Sequence, residues 1–280
     1  MESRFDRRIM SRLRLIALGG LDENGNNLYS IEIDNKIFVV NAGIKYPEDN
    51  QFGVEIIVPD FEYLKVNRNK VTAIIVTHAH DDMMNGLPYL LKEINVPVYG
   101  PRMSMVMLRH LMSREDFDKI DFRVMDRNGE YLIDGIRVRT FSLTHSTPDA
   151  LGLAINTEHG QIVIAEQFVV DFNMHDKAFD CDVSRIAEIG KENVLALLME
   201  SSHADKPDFT SPRHRISNLI RTHFEDATGR IVVSVYNQNY IRVKEIVAMA
   251  REFHRTVFFY DDGLRENLQE ISNLGYYDLP

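Results

Sequence analysis

The residues with the most chemistry in them lie in one short run, Thr77-His78-Ala79-His80-Asp81-Asp82-Met83. Two imidazoles separated by one residue can face the same side of an extended loop, and a carboxylate two residues on is free to turn toward a neighbouring ion. Imidazole nitrogens suit zinc, and an ionised carboxylate suits zinc or manganese. A polar surface loop could hold the same residue types. Here, however, an apolar run of strand length, Val71 to Val76, precedes the loop, and helical spacing of Met84, Leu87, Leu90, Leu91 and Ile94 follows it. That context predicts a metal-binding loop at the end of a buried strand. His145, just after the apolar run Ile136 to Leu143, would by itself be read as a structural histidine.

The positioning elements follow from periodicity and turn chemistry. Arg12 to Leu18 predicts a strand ending at Gly19-Gly20, and Asn27 to Ile33 with Lys36 to Asn41 a hairpin across Asp34-Asn35. The strand series continues through Val96 to Tyr99, Phe122 to Met125, Ile136 to Leu143, Leu151 to Asn156, Gln161 to Ala165 and Leu195 to Met199. From about Ser211 the pattern alternates. Ile216 to Phe224 and Ile241 to His254 read as helices, and Arg230 to Tyr236 and Thr256 to Tyr260 as strands, so residues 230–260 have the order of one βαβ unit. The polar run Asp205-Lys206-Pro207-Asp208 marks the change of style. Met103, Met105, Met107 and Met112 read as helix packing.

The 280 residues, with 44% hydrophobic and 26% charged, describe an ordinary globular chain. No apolar run approaches the roughly 18 residues of a membrane span, and no apolar stretch backs the arginines of the first fifteen residues as a secretory signal would require. The single cysteine, Cys181, excludes an internal disulfide framework and a cysteine-based zinc cluster, and fits a reducing, cytoplasmic setting. A net charge of −10 is the wrong sign for coating nucleic acid through bulk electrostatics, so any RNA contact must rest on particular residues.

The H-x-H-x-D run after a buried strand resembles the signature of the metallo-β-lactamase superfamily. The wider text resembles ribonuclease J, an RNA-degrading enzyme whose metallo-β-lactamase domain carries an inserted β-CASP domain. The matching segments run in order: Leu18-Gly19-Gly20, Tyr46-Pro47-Glu48, Val58-Pro59-Asp60, Gly86-Leu87-Pro88-Tyr89, Val96-Pro97-Val98-Tyr99-Gly100, His145-Ser146-Thr147-Pro148-Asp149 and Glu200-Ser201-Ser202. The resemblance implies an α/β fold: an incomplete αββα metallo-β-lactamase sandwich over residues 1–207, then the start of a β-CASP α/β domain over residues 208–280. The family's chain returns from the insertion to finish the sandwich and supplies a last histidine, which would lie beyond residue 280.

By resemblance, the first ion of a two-metal centre takes His78, His80 and His145, and all three are present. The second is where the sequence departs. Asp82 matches the family's acid, a metal ligand and the one candidate here for a catalytic carboxylate. The neighbouring histidine is replaced by Met83, a soft thioether. The bridging aspartate of a T-G-D-F turn falls on Gln167 in Ala165-Glu166-Gln167-Phe168, and the aspartate of a D-A-G turn becomes Asn41. Glu166 offers a carboxylate next to Gln167, but in an extended segment adjacent side chains face opposite ways. The expectation is one zinc or manganese ion and no two-metal centre.

On the RNA side, Glu200 matches an acidic motif, read either as a carboxylate orienting a ligand or as a capping acid. Tyr236-Asn237-Gln238-Asn239-Tyr240-Ile241-Arg242 falls where the family has F-A-S-N-x-H-R. Asn239 and Arg242 match, and backbone N–H groups at that helix start could hold a phosphate. Arg213, His214, Arg215 and Arg221 form a basic cluster, and the arginine-rich start could touch RNA. The function these features imply is that of a catalytically impaired ribonuclease J paralogue in RNA processing and degradation. It would bind RNA and form homo-oligomers, or hetero-oligomers with an active ribonuclease J, away from any membrane. The alternatives are a single-metal RNA phosphodiesterase and a metal-free scaffold.

Overall fold

The computed structural model describes residues 11–172, 174, 176–202, 204–207 and 216–278. The apolar runs of the first half become two packed sheets. In the first, β1 (Leu13–Gly19), β2 (Leu28–Ile33), β3 (Lys36–Val40), β4 (Val71–Ile75), β5 (Val98–Gly100) and β6 (Phe122–Val124) lie side by side in sequence order. The expected hairpin joins β2 to β3 in antiparallel register, with Asp34 at φ 56, a left-handed turn conformation that Asp tolerates. From β3 onward the pairs are parallel and need crossovers. Helix α1 (Glu62–Val66) lies on the first crossover, α2 (Asp81–Met84) and α3 (Leu87–Glu93) on the second, and α4 (Arg102–Leu111) and α5 (Arg114–Phe117) on the third.

The second sheet has the order β11 (Val194–Met199), β10 (Gly160–Ala165), β9 (Leu151–Thr157), β8 (Ile136–Ser142), β7 (Glu130–Ile133). It is antiparallel except for β10 and β11, whose crossover carries α6 (Val183–Gly190). Between the sheets lies a core contributed by both, with Ile31, Phe38, Val40, Ile75, Val138, Leu153, Ile155 and Ile164 among its members. Each such side chain contributes roughly 1.5–3 kcal/mol by leaving water. The outer face of the first sheet is covered by helices through Leu64, Leu87, Leu90, Met103 and Met107, and that of the second by Ile186 and Ile189 of α6. These are the four layers of an αββα sandwich.

The second half supplies α7 (Ser217–Asp226), α8 (Tyr240–Glu252) and α9 (Asp262–Asn273). Tyr240, Val243 and Val247 of α8 and Leu264, Leu268 and Ile271 of α9 join the cluster that contains Met103, Met107 and Leu108 of α4. The methionine-rich stretch is therefore packing, as its spacing implies. The βαβ reading of residues 230–260 is corrected: α8 forms, but neither flanking segment is a strand. Strand identity needs a neighbour's hydrogen bonds, and these segments find no ladder among the described residues. Their sheet-forming side chains stay in water, Val232 93%, Phe258 85% and Tyr260 96% exposed. The arrangement gathers one edge of both sheets. Since β9 is antiparallel to both β8 and β10, the ends of β8, β10 and β11 emerge on one side, and the parallel β3 and β4 likewise end together.

Candidate metal centre

Strand β4 delivers Thr77 and His78, and His80 keeps an extended backbone (φ −97, ψ 154) before α2 begins. Histidines 78 and 80 therefore share a face, as the one-residue spacing implies. The turn between β8 and β9 brings His145 against them. Ring centroids lie 4.9 Å apart for His78 and His80, 4.1 Å for His78 and His145, and 4.6 Å for His80 and His145. One nitrogen from each falls within 4.8 Å of the others, and all three residues are buried. Burial holds the imidazoles below their ordinary protonation range, reinforced at His78 by His145 and His80 and at His145 by His80. Neutral imidazole is the form that ligates a metal.

A chain of hydrogen bonds fixes the tautomer of His78. The side-chain carbonyl of Asn41 accepts from the Thr77 backbone N–H (2.9 Å) and from the Thr77 hydroxyl (3.1 Å). With its proton so committed, that hydroxyl can only accept from His78 Nδ1, 3.1 Å away. The lone pair of His78 then lies on Nε2, which is buried and has no partner. A buried polar atom left unsatisfied costs about 1–3 kcal/mol, and a cation would relieve it. The other two rings are already held. His80 Nε2 lies 3.0 Å from Ser146 Oγ, and His145 Nδ1 lies 3.0 Å from Thr147 Oγ1 and accepts the Thr147 N–H at 3.1 Å. Three imidazoles, one with an orphaned nitrogen, fit a single ion.

The residues around the second position do not fit one. Asn41 Nδ2 donates to Glu166 Oε2 at 2.9 Å and lies 3.3 Å from Met83 Sδ. Gln167 Nε2 donates to Asp82 Oδ2 at 3.1 Å, and Asn27 Nδ2 approaches the same oxygen at 3.4 Å. Burial, with Asp82 nearby, pushes the Glu166 carboxyl up to about 8, and burial raises Asp82 as well. Amide N–H groups and a Glu166 carboxyl inclined to stay protonated occupy the ground where two cations would need anions. The expectation that Glu166 and Gln167 face opposite ways is also corrected. Gln167 sits at φ 47, left-handed, and that turn lets both side chains reach the centre. A positive φ at glutamine leaves no mark in composition or spacing.

Around the histidines opens a cavity of about 320 Å³, lined by His80, His145, Ser146, Gln167, Glu200, Asn239 and Arg242, among others. Glu200 follows β11 and accepts from Ser202 Oγ. Asn239 caps α8 by accepting the Arg242 N–H at 3.1 Å, and the Ile241 N–H donates to the Ser146 carbonyl at 3.3 Å. Two first-turn N–H groups are thus already engaged, leaving the Arg242 side chain, 3.4 Å from Glu245, as the cavity's cation. Arg221 forms a forked pair with Glu252, and its three basic companions, residues 213–215, lie outside the described residues, as do residues 1–10. Sequence reasoning missed Thr77, Thr147, Ser146 and Gln238. Gln238 is buried and clamps Asp81, accepting its N–H at 3.2 Å and donating to its carboxylate, which ties the start of α8 to the histidine loop.

Comparison with known proteins bears on this arrangement. Residues 21–165 match the Metallo-beta-lactamase superfamily. Ribonuclease J 2 of Staphylococcus aureus (strain NCTC 8325 / PS 47) is 32% identical over 269 residues, 96% of this chain and 48% of that protein. Ribonuclease J 2 of Staphylococcus epidermidis matches with the same identity and coverage. The chain therefore spans about half the length of the curated relatives it matches. Among solved structures, a protein of unknown function from Enterococcus faecalis V583 superposes with a TM-score of 0.63 at 15% identity, over 93% of this chain and 68% of that one. That likeness is one of fold. Among the described residues no helix is long and apolar enough to cross a membrane.

Proposed function

The chain belongs to the metallo-β-lactamase superfamily as a ribonuclease J-like member, and from that premise we propose that it serves RNA processing and degradation as a catalytically impaired protein. It acts as a subunit or RNA-binding partner of an active paralogue in the cytoplasm, in homo- or hetero-oligomers. The division into a metallo-β-lactamase-like part over residues 1–207 and a partial β-CASP part over residues 208–280 belongs to the same proposal. The observation that carries it is the amide network at the second metal position, where Asn41 bonds Glu166 and Gln167 bonds Asp82. Two-metal hydrolysis needs a hydroxide held between cations. Among the described residues, the two carboxyl groups at that position, Glu166 and Asp82, are each tied to an amide.

A second reading, a single-ion phosphodiesterase, is favoured by the orphaned His78 Nε2. His78, His80 and His145 would hold one zinc or manganese ion, which when bound supplies Lewis-acid polarisation of a phosphoryl oxygen. The chain's own part would be to keep the imidazoles neutral and oriented through Thr77, Ser146 and Thr147, and to meet a phosphate with Arg242 at the cavity wall.

A nuclease assay on 5′-monophosphorylated RNA with added zinc or manganese separates the readings. The impaired reading predicts RNA binding without turnover above background. Turnover that disappears in His80→Ala would establish the single-ion enzyme instead, and absence of RNA binding even at low salt would favour a scaffold.

A further inference from the structure

Gln167 has a place in the centre that no metal-ligand pattern gives it. Its side-chain nitrogen donates to Asp82 Oδ2 at 3.1 Å, and the same side chain lines one cavity with His80 and His145. An amide whose nitrogen is already donating has its carbonyl left to accept, and an imidazole that faces it does so with an N–H. That hydrogen-bond pattern suits a metal-free centre and opposes a cation, which would have to meet lone pairs at the same nitrogens. The backbone supports the arrangement. A non-glycine residue at φ 47 is strained, and the surrounding bonds hold Gln167 there. Gln167 both bonds Asp82 and stands beside these two histidines in the cavity wall, so its amide is the group an entering ion would meet with them.

We propose that Gln167 is an internal stopper of the metal centre, its amide occupying the ground between Asp82 and the histidines so that an ion binds only by displacing it. The inference rests on the reading that the centre takes at most one ion, and sharpens it. The histidine site is intact in composition but closed by the chain itself. The opposite assignment, Gln167 as a ligand offering its carbonyl oxygen to the ion, predicts the reverse effect of removing it.

The test is a zinc titration against a chromophoric chelator, comparing wild type with Gln167→Gly and Gln167→Ala. Glycine suits the left-handed backbone and removes the side chain, and alanine checks that the effect belongs to the amide. Releasing the amide from Asp82 and from the cavity should tighten single-site zinc binding by at least roughly tenfold. Equal or weaker binding in both variants would overturn the stopper. The wild-type protein gives a second readout should a variant not fold. The Gln167 side-chain amide resonances should shift on zinc saturation as the Asp82 bond breaks, and resonances unmoved at saturation would equally overturn it. Two ions on wild type would defeat the functional reading itself. One ion or none on wild type, with no tightening in the variants, would defeat the stopper alone.

Discussion

Asn41, Thr77 and His78 form a relay in which each partner decides the next, and it ends on a bare ring nitrogen. The other end of Asn41 holds Glu166, and there the electrostatics make a prediction for metal-free protein. The Glu166 carboxyl ordinarily titrates at 4.5 and is pushed to about 8 by burial and by Asp82. Between those values the folded chain keeps a proton that the unfolded chain releases. Stability contributed by the protonated form is therefore complete at low pH, falls as pH rises through this window, and levels off above it. Histidines 78 and 145, held below their ordinary value of 6.5, have the opposite slope, confined to lower pH. The interval from 6.5 to about 8 thus separates Glu166 from the histidines. With chelator present, the wild-type Tm should drop across it by roughly 5 °C. Glu166→Gln keeps an acceptor for Asn41 and should flatten most of that slope. An unchanged slope in the variant would contradict this account of Glu166.

At the scale of elements, the centre depends on how the loop after β3 docks against α2. Ala42 N–H donates to the Met83 carbonyl, Ile44 N–H to that of Asp81, and Asn27 N–H to that of Asp82. Gly43 sits where a Cβ would lie 1.6 Å from the Asp82 carbonyl oxygen, so no side chain fits without pulling the two segments apart. Gly43→Ala should therefore lower unfolding stability by at least about 3 kcal/mol in denaturant titration. A loss below about 1 kcal/mol, close to the range of surface substitutions, would mean a looser docking of the two segments. Much of this scale was legible in the sequence. The histidine loop could be read because an apolar run and a helical period bracket it, and His145 because its neighbours Ser146 to Asp149 match a family segment. The left-handed turn at Gln167 could not, since glutamine carries no turn signal. The segments flanking α8 were misread because β-branched and aromatic residues signal a strand only if a neighbouring strand exists to pair with them.

For the whole molecule, an αββα sandwich places the ends of β3, β4, β8, β10 and β11 around one cavity, while α8 and α9 share a core with α4 and Gln238 locks the start of α8 onto the histidine loop. The net charge of −10 leaves RNA recognition to local groups, with Arg242 at the cavity wall. Fold and family were legible over most of the chain because the matching segments recur in order. The state of the metal centre was legible only as altered ligands, because hydrogen-bond partners from distant strands decide what replaces an ion. Metal stoichiometry of the purified chain, loaded with zinc or manganese and weighed by native mass spectrometry, tests the central claim most directly. The account predicts no more than one ion per chain for wild type and a higher content for the combined change Asn41→Asp, Met83→His and Gln167→Asp. Two tightly held ions on the wild-type chain would contradict it.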